Sequence, residues 1–278
     1  MICPGKPLAG LLLGFFVLAA SPSGLGQQGG NRSSGNVNAD VAHPVLVELF
    51  TSEGCSSCPP ADVLLQNLDT IQPIRGAHLI VLSEHVTYWD HDGWKDPNSS
   101  DTLTERQSSY EHSLGVPESY TPQFVVDGSQ DANLSDPRSI ETKLTKAALA
   151  PKLAIRIADV TVDEGNPATL RTHIDTDPNF DKHNADVFVA LALDHVESQV
   201  LRGENGGKHL VHVAVVRQLA KIGKLPKEKT FSQDVQLKLK PGEDAQNLRV
   251  IVFAQETDGK VLGAAEHRAS RAADIRGK

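Results

Sequence analysis

The chain has 278 residues, 39% hydrophobic and 22% charged, with a formal net charge of −8. That composition supports a packed core in one large domain or two small ones. It excludes a general nucleic-acid binder, which needs clustered Lys and Arg to meet phosphates. No long apolar run follows residue 20, so no membrane span is expected in the mature chain.

Lys6 is the only charge ahead of Arg32, and residues 8–20 are apolar; Ser21, Ser23, Gly24 and Gly26 follow. A positive start, a short apolar stretch and a small-residue exit predict a signal peptide over residues 1–26 and a periplasmic or secreted destination. Residues 27–42, rich in Gly, Asn and Ser, read as a flexible lead-in.

Residues 45–50, Val-Leu-Val-Glu-Leu-Phe, predict a buried central strand. A turn leads into Cys55-Ser56-Ser57-Cys58-Pro59-Pro60 and then into a helical pattern. Proline is tolerated only in a helix's first turn, so the helix is expected to begin near Ser57, with Ser56 or Ser57 as its cap. Cys55 then stands just before the helix as the exposed thiol, and Cys58 lies within the first turn. A thiolate at a helix N-terminus is stabilised by free N–H groups and the dipole. Cys3 leaves with the signal, so Cys55 and Cys58 are the cysteines of the mature chain. Their loop is too short for stapling to be its purpose, and structural zinc would need four ligands.

A second strand is expected at 78–82, then an unusual segment, 84–120, that ends in a helix over 104–114. It holds both tryptophans, Trp89 and Trp94, and all three tyrosines, Tyr88, Tyr110 and Tyr120. The rings read as the small core of an insertion. His85, Asp90, His91, Asp92, Asp96 and Asp101 read as solvated loop charge rather than a metal site. Because ligand crevices lie outside strand C-terminal ends, the Glu84–Trp94 loop is expected to border the cysteines, with His85 the nearest imidazole. Thr121-Pro122 precedes a strand at 124–126, where a cis bond is expected beside the cysteine pair. Asp127-Gly128 is a hairpin signal, and a helix over 137–149 ends at Pro151.

Beyond Pro151 the texture becomes β-rich. Segments 152–160, 170–175, 187–194, 210–216, 231–239, 248–255 and 261–265 predict short strands, the last two joined by the Asp258-Gly259 turn. Arg202-Gly203-Glu204-Asn205-Gly206-Gly207 lacks the ending of a phosphate loop and reads as a turn. The expected organisation is a domain over 43–150, a smaller antiparallel β-sandwich-like domain over 151–266 and a polar tail over 267–278.

The stretch Glu48-Leu49-Phe50-Thr51-Ser52-Glu53-Gly54-Cys55-Ser56-Ser57-Cys58-Pro59-Pro60-Ala61-Asp62 resembles the signature of a family of bacterial secreted proteins of unknown function within the thioredoxin-like superfamily. The resemblance continues through His85, Tyr88-Trp89-Asp90, Gly93-Trp94, Asp96, Arg106-Gln107 and Tyr120-Thr121-Pro122-Gln123. It extends to Arg202-Gly203-Glu204-Asn205 and Val215-Val216-Arg217. It implies an α/β fold, thioredoxin-like over 43–150 with an inserted helical and aromatic segment. In that resemblance Cys55 attacks, Cys58 resolves, Thr121-Pro122 holds extended substrate backbone, and Glu48 corresponds to a buried proton acceptor. The interval from Glu48 to the pair is one residue longer than in thioredoxins. The Trp before the first cysteine and the Gly-Pro between the two are absent.

The expected function is extracytoplasmic thiol–disulfide exchange with protein thiols and a redox partner protein, requiring no cofactor. Two other classes remain open at this point. One is a module holding Cu(I) or another soft metal through Cys55, Cys58 and His85. The other is a secreted interaction protein whose disulfide is inert.

Overall fold

The computed structural model describes residues 42–268, apart from Asp92, Glu164, Asn166, Asn179, residues 181–183 and Glu228. The expected signal peptide, nearly all of the lead-in and most of the polar tail lie outside the described residues. Among those described, no helix is long and apolar enough to cross a membrane.

The structure is α/β. Eleven strands, β1 (His43–Thr51), β2 (Ala77–His85), β3 (Gln123–Val126), β4 (Gln130–Ala132), β5 (Ile155–Asp163), β6 (Thr169–Thr176), β7 (Ala185–Gln199), β8 (His209–Leu225), β9 (Ser232–Lys238), β10 (Leu248–Gln255) and β11 (Val261–Arg268), form two sheets among the described residues. A mixed eight-stranded sheet runs β11-β10-β7-β8-β2-β1-β3-β4, and a smaller antiparallel sheet runs β5-β6-β9. Among the described residues there are three α-helices, α1 (Pro59–Ile71), α2 (Asp101–Leu114) and α3 (Pro137–Ala148).

Strand β1 is buried on both faces, which is why its sequence is nearly continuous in apolar residues. Val45, Val47 and Leu49 pack with Leu65 and Leu68 of α1 and with Ile140 and Leu144 of α3. Leu46 faces the other way, with Ile80, Leu82 and Leu103 of α2. Phe50 does the same against Tyr110 of α2. β1 pairs with β2 in parallel and with β3 antiparallel.

The strands beyond Pro151 pack as two antiparallel layers, but one of those layers is not a separate sheet. β7, β8, β10 and β11 extend the sheet of β1 and β2, the junction being the parallel bridge Ser83↔Val215. Only β5, β6 and β9 make a second layer, which buries Leu170, Val235 and Leu237 against Val187, Val189, Val250 and Val252. β10 therefore serves two cores by alternation. Val250 and Val252 face the small sheet, whereas Ile251 and Phe253 join Leu46, Ile80 and Leu82. The two Asp-Gly turns meet. Val261 N–H donates to Asp127 O at 2.9 Å, and a Cβ on Gly128 would stand 1.9 Å from Gly259 O.

Helix α1 starts slightly later than expected. Pro59 and Pro60 take its first two positions, and Cys58 itself is the N-cap, without a side-chain capping bond. Neither Ser56 nor Ser57 caps it, since prolines at the first two positions leave the N-cap to the residue immediately before them.

Candidate redox site

Cys55 and Cys58 are joined by a disulfide with S–S 2.08 Å. The turn that carries them leaves the C-terminal end of β1 and enters α1. β3 begins beside it, because Gln123 pairs with Phe50. The preceding Thr121–Pro122 bond is cis. β2 ends there too, with His85 opposite Thr51. A cavity of about 510 Å³ lies alongside, lined by Ser57, Pro60 and Leu64 on one wall and by Tyr120, Pro122 and Leu134 on the other. The Ser57 hydroxyl donates to Cys55 Sγ at 3.3 Å; the disulfide sulfur carries no proton to give.

The expectation of an exposed Cys55 is overturned: both cysteines have 0% exposure. Ser56 and Ser57 face solvent instead. The turn is met by a place remote in sequence, residues 200–208 at the tip of the β7–β8 hairpin. Asn205, fully buried, donates through Nδ2 to Glu53 O at 2.8 Å and Cys55 O at 2.9 Å. Its Oδ1 accepts from Lys208 Nζ at 2.8 Å. Glu204 Oε2 accepts the Ser56 N–H at 3.1 Å, and the Ser56 side chain together with that N–H holds the Glu204 carboxyl below its ordinary pKa. The loop expected to be only a turn is therefore part of the site.

The aromatic segment borders the turn, as its position after β2 implied. Trp89 packs on Gly54, where a Cβ would come within 3.1 Å of Trp89 Cβ and O, and its Nε1 donates to Thr121 Oγ1 at 2.7 Å. Trp94 Nε1 donates to Glu53 Oε2 at 2.8 Å. His91 and Asp101 are exposed, as expected of loop charge, but Asp90 is half-buried and His85 and Asp96 are buried against one another. Asp96, 1% exposed, accepts from Glu53 N–H and pairs with His85 Nδ1 at 2.6 Å. Asp90 accepts from Asp96 N–H and Ser99 Oγ, and Asp101 from Thr87 Oγ1. Burial raises the Asp96 proton affinity, but the charge and hydrogen bond of His85 and the amides of Glu53 and Asn98 outweigh it and hold its pKa at about 2.

His85 is thus a partner of Asp96, and its Nε2 makes no hydrogen bond. A second imidazole, which the sequence did not single out, stands edge-on to it with ring centroids 4.8 Å apart: His212 of β8. His212 lies between two carboxylates, with Nε2 3.6 Å from Glu53 Oε1 and Nδ1 3.6 Å from Asp62 Oδ1. Burial works against its charge, but these flanking acids prevail and push its pKa up to about 10. Asp62 follows Cys58 by one helical turn on the buried face of α1 and accepts from Thr51 Oγ1 at 3.0 Å. Among the described residues, no group of three or more His, Cys, Asp or Glu is arranged to hold a metal ion.

Glu48 is not in this cluster. It points to the α2 face of the sheet, where its carboxylate accepts from Arg106 Nε and Tyr110 Oη, both at 2.7 Å. The interval that is one residue too long is the physical reason, since strand side chains alternate and an odd shift moves a residue to the other face.

Residues 46–255 match a family described as "Protein of unknown function (DUF1223)". No curated protein matches the chain. A crystal structure of a protein from Agrobacterium tumefaciens is similar at 26% identity and a TM-score of 0.59, covering 82% of this chain and 95% of that one. Wild-type OgpA from Akkermansia muciniphila aligns at 11% identity over 75% of this chain and 70% of its own. Its TM-score is 0.22, a level from which no shared fold follows.

Proposed function

The chain belongs to the DUF1223 family, whose description names no activity, and from the site we propose that it is a thioredoxin-like thiol–disulfide oxidoreductase of an extracytoplasmic compartment. The observation that carries this reading is the Cys55–Cys58 disulfide at the N-terminus of α1, with Ser57 and Pro122 lining one cavity beside it. The signal-peptide pattern of residues 1–26 supports the compartment.

In the reduced form, the Cys55 thiolate attacks a substrate disulfide. The substrate S–S bond breaks, a mixed disulfide forms, and the departing substrate thiolate takes a proton. Cys58 then loses its proton and attacks Cys55 Sγ. That step releases the second substrate thiol and leaves the intramolecular disulfide. Two electrons pass from the cysteine pair to the substrate, and the reverse sequence oxidises a dithiol. The Ser57 hydroxyl, 3.3 Å from Cys55 Sγ, is placed to donate to the thiolate.

The test is a mixed-disulfide trap. A Cys58→Ala variant is expected to accumulate adducts with exported proteins and with model disulfides, while Cys55→Ala accumulates none. Absence of adducts from Cys58→Ala, after reduction and with folding verified, rejects the oxidoreductase reading.

A further inference from the structure

We propose that Glu204 and Asn205 are positioning residues for the Cys55–Cys58 pair: they hold the β7–β8 hairpin tip over the oxidised turn, and the Glu204 charge opposes a thiolate on Cys55. The inference rests on the pair being redox-active and concerns what controls access to it and its poise.

The geometry separates the two roles. Asn205 grips main-chain atoms, Glu53 O and Cys55 O, and is itself held by Lys208. These bonds are indifferent to the state of the sulfurs and seat the tip on the turn, whose two cysteines have 0% exposure although Ser56 and Ser57 are exposed. Glu204 instead places a carboxylate on the amide of Ser56, the residue bonded to Cys55. In the oxidised state the turn is neutral, and its N–H welcomes that negative charge. When a dithiol or phosphine reductant delivers two electrons, the S–S bond breaks. Cys58 takes a proton, and Cys55 keeps a negative charge a few covalent bonds from the same amide. Two anions then face one another well within the Debye length of about 8–10 Å.

Other charges around the turn do not reverse this. Glu53 and Asp62 face His212 beneath it, Asp96 faces His85, and Lys208 is bound to Asn205. Glu204 thus favours the oxidised, covered state, and reduction weakens the bond that helps keep the tip down.

The experiment uses the full mature chain, oxidised, in three forms: wild type, Asn205→Ala and Glu204→Gln. Two quantities are read by thiol alkylation and mass. One is the rate of reduction by a water-soluble phosphine, and the other is the equilibrium constant for reduction against dithiothreitol. Asn205→Ala is expected to speed phosphine reduction at least tenfold by uncovering the sulfurs. Glu204→Gln keeps an acceptor oxygen for Ser56 but not the charge. It is expected to raise the reduction equilibrium constant several-fold at neutral to mildly alkaline pH. The difference from wild type should narrow as pH falls and either charge is neutralised, a dependence that a purely structural contact does not produce.

If Asn205→Ala does not fold, Glu204→Gln alone decides. An equilibrium constant equal to wild type at every pH overturns the electrostatic role, and an unchanged phosphine rate in folded Asn205→Ala overturns the cover. Neither readout needs a protein substrate. A failed mixed-disulfide trap with these shifts present rejects only the proposed function, and a successful trap with the shifts absent rejects only this inference.

Discussion

His212 is the residue on which the charge balance beneath the cysteine turn depends. Its ring, 1% exposed, faces Glu53 and Asp62. With the folded pKa near 10 and an ordinary value of 6.5, its stabilising effect is complete below 6.5 and is lost as pH rises through 10. Asp96 works at the other end. Its folded pKa of about 2 lies below the ordinary 3.8, so its contribution is present above 3.8 and is lost as pH falls towards 2. Denaturant midpoints measured across pH should therefore decline above 6.5, and His212→Gln should flatten that decline. A wild-type midpoint that is constant from pH 6 to 10 would show that His212 is not held charged. The α2 side offers a second contrast. Glu48 pairs with Arg106, whose guanidinium also lies over the Phe253 ring at 4.9 Å. Burial, assisted by Glu48 and opposed by Arg106, raises the Glu84 pKa well above its ordinary value, and Glu48, not Glu84, is the carboxylate nearest to Arg106. Glu48→Gln is expected to cost about 3–5 kcal/mol by leaving Arg106 uncompensated, and Glu84→Gln less than about 1 kcal/mol. Equal costs in urea titrations would contradict that assignment. Cys55, Cys58 and Pro122 are legible in the sequence because local chemistry marks them. His212 is not, and Glu204 and Asn205 are marked by the resemblance without their role, since their partners lie some 150 positions away and nothing in a hairpin's own residues states what its tip will touch.

At the scale of elements, the Asp-Gly turns carry the clearest consequence. Each is visible as a hairpin signal, but their mutual contact is not, because turn chemistry specifies a local conformation and not a neighbour. Gly128 has φ +61° and stands so close to Gly259 that no Cβ fits between them. Gly128→Ala must strain the backbone and push the β3–β4 and β10–β11 turns apart. It is expected to lower stability by about 2–4 kcal/mol. Gly115→Ala provides the comparison. It has a similar φ of +66° with nothing near its Cβ, so it should cost only about 1 kcal/mol. Equal losses in the two variants, read from thermal midpoints, would mean that the turn contact contributes nothing. Every strand expected after Pro151 is present, because alternation and punctuating turns report strands well. The pattern understates the lengths of β7 and β8, whose Val187/Phe188 and Leu191/Ala192 irregularities break the alternation partway.

At the scale of the whole molecule, the question is whether residues 43–150 and 151–266 fold as separate domains. A sandwich-like second domain is the natural reading of seven short strands, since sequence pattern does not disclose which sheet a strand joins. The structure ties the two segments together in three ways. β8 continues the sheet at β2. Ile251 and Phe253 complete the apolar layer over Leu46, Ile80 and Leu82. Arg249 of β10, 1% exposed, donates to both carboxylate oxygens of Asp69 in α1 at 2.8 and 2.7 Å, across 180 positions of sequence. Cutting the chain at residue 150 would expose that apolar layer and leave Asp69 buried without its main partner. Residues 43–150 alone are therefore expected not to fold cooperatively. In the intact chain, both tryptophans report on the first segment, while far-UV circular dichroism is dominated by strands of the second. The two signals should follow one denaturant transition with a common midpoint. Arg249→Ala, which leaves Asp69 with Arg268 alone, should move both midpoints together by an amount towards the lower end of the ~3–5 kcal/mol that a broken buried pair costs. Two separated midpoints, or a shift confined to one signal, would establish two independent domains and make the shared sheet a docking contact rather than the common core.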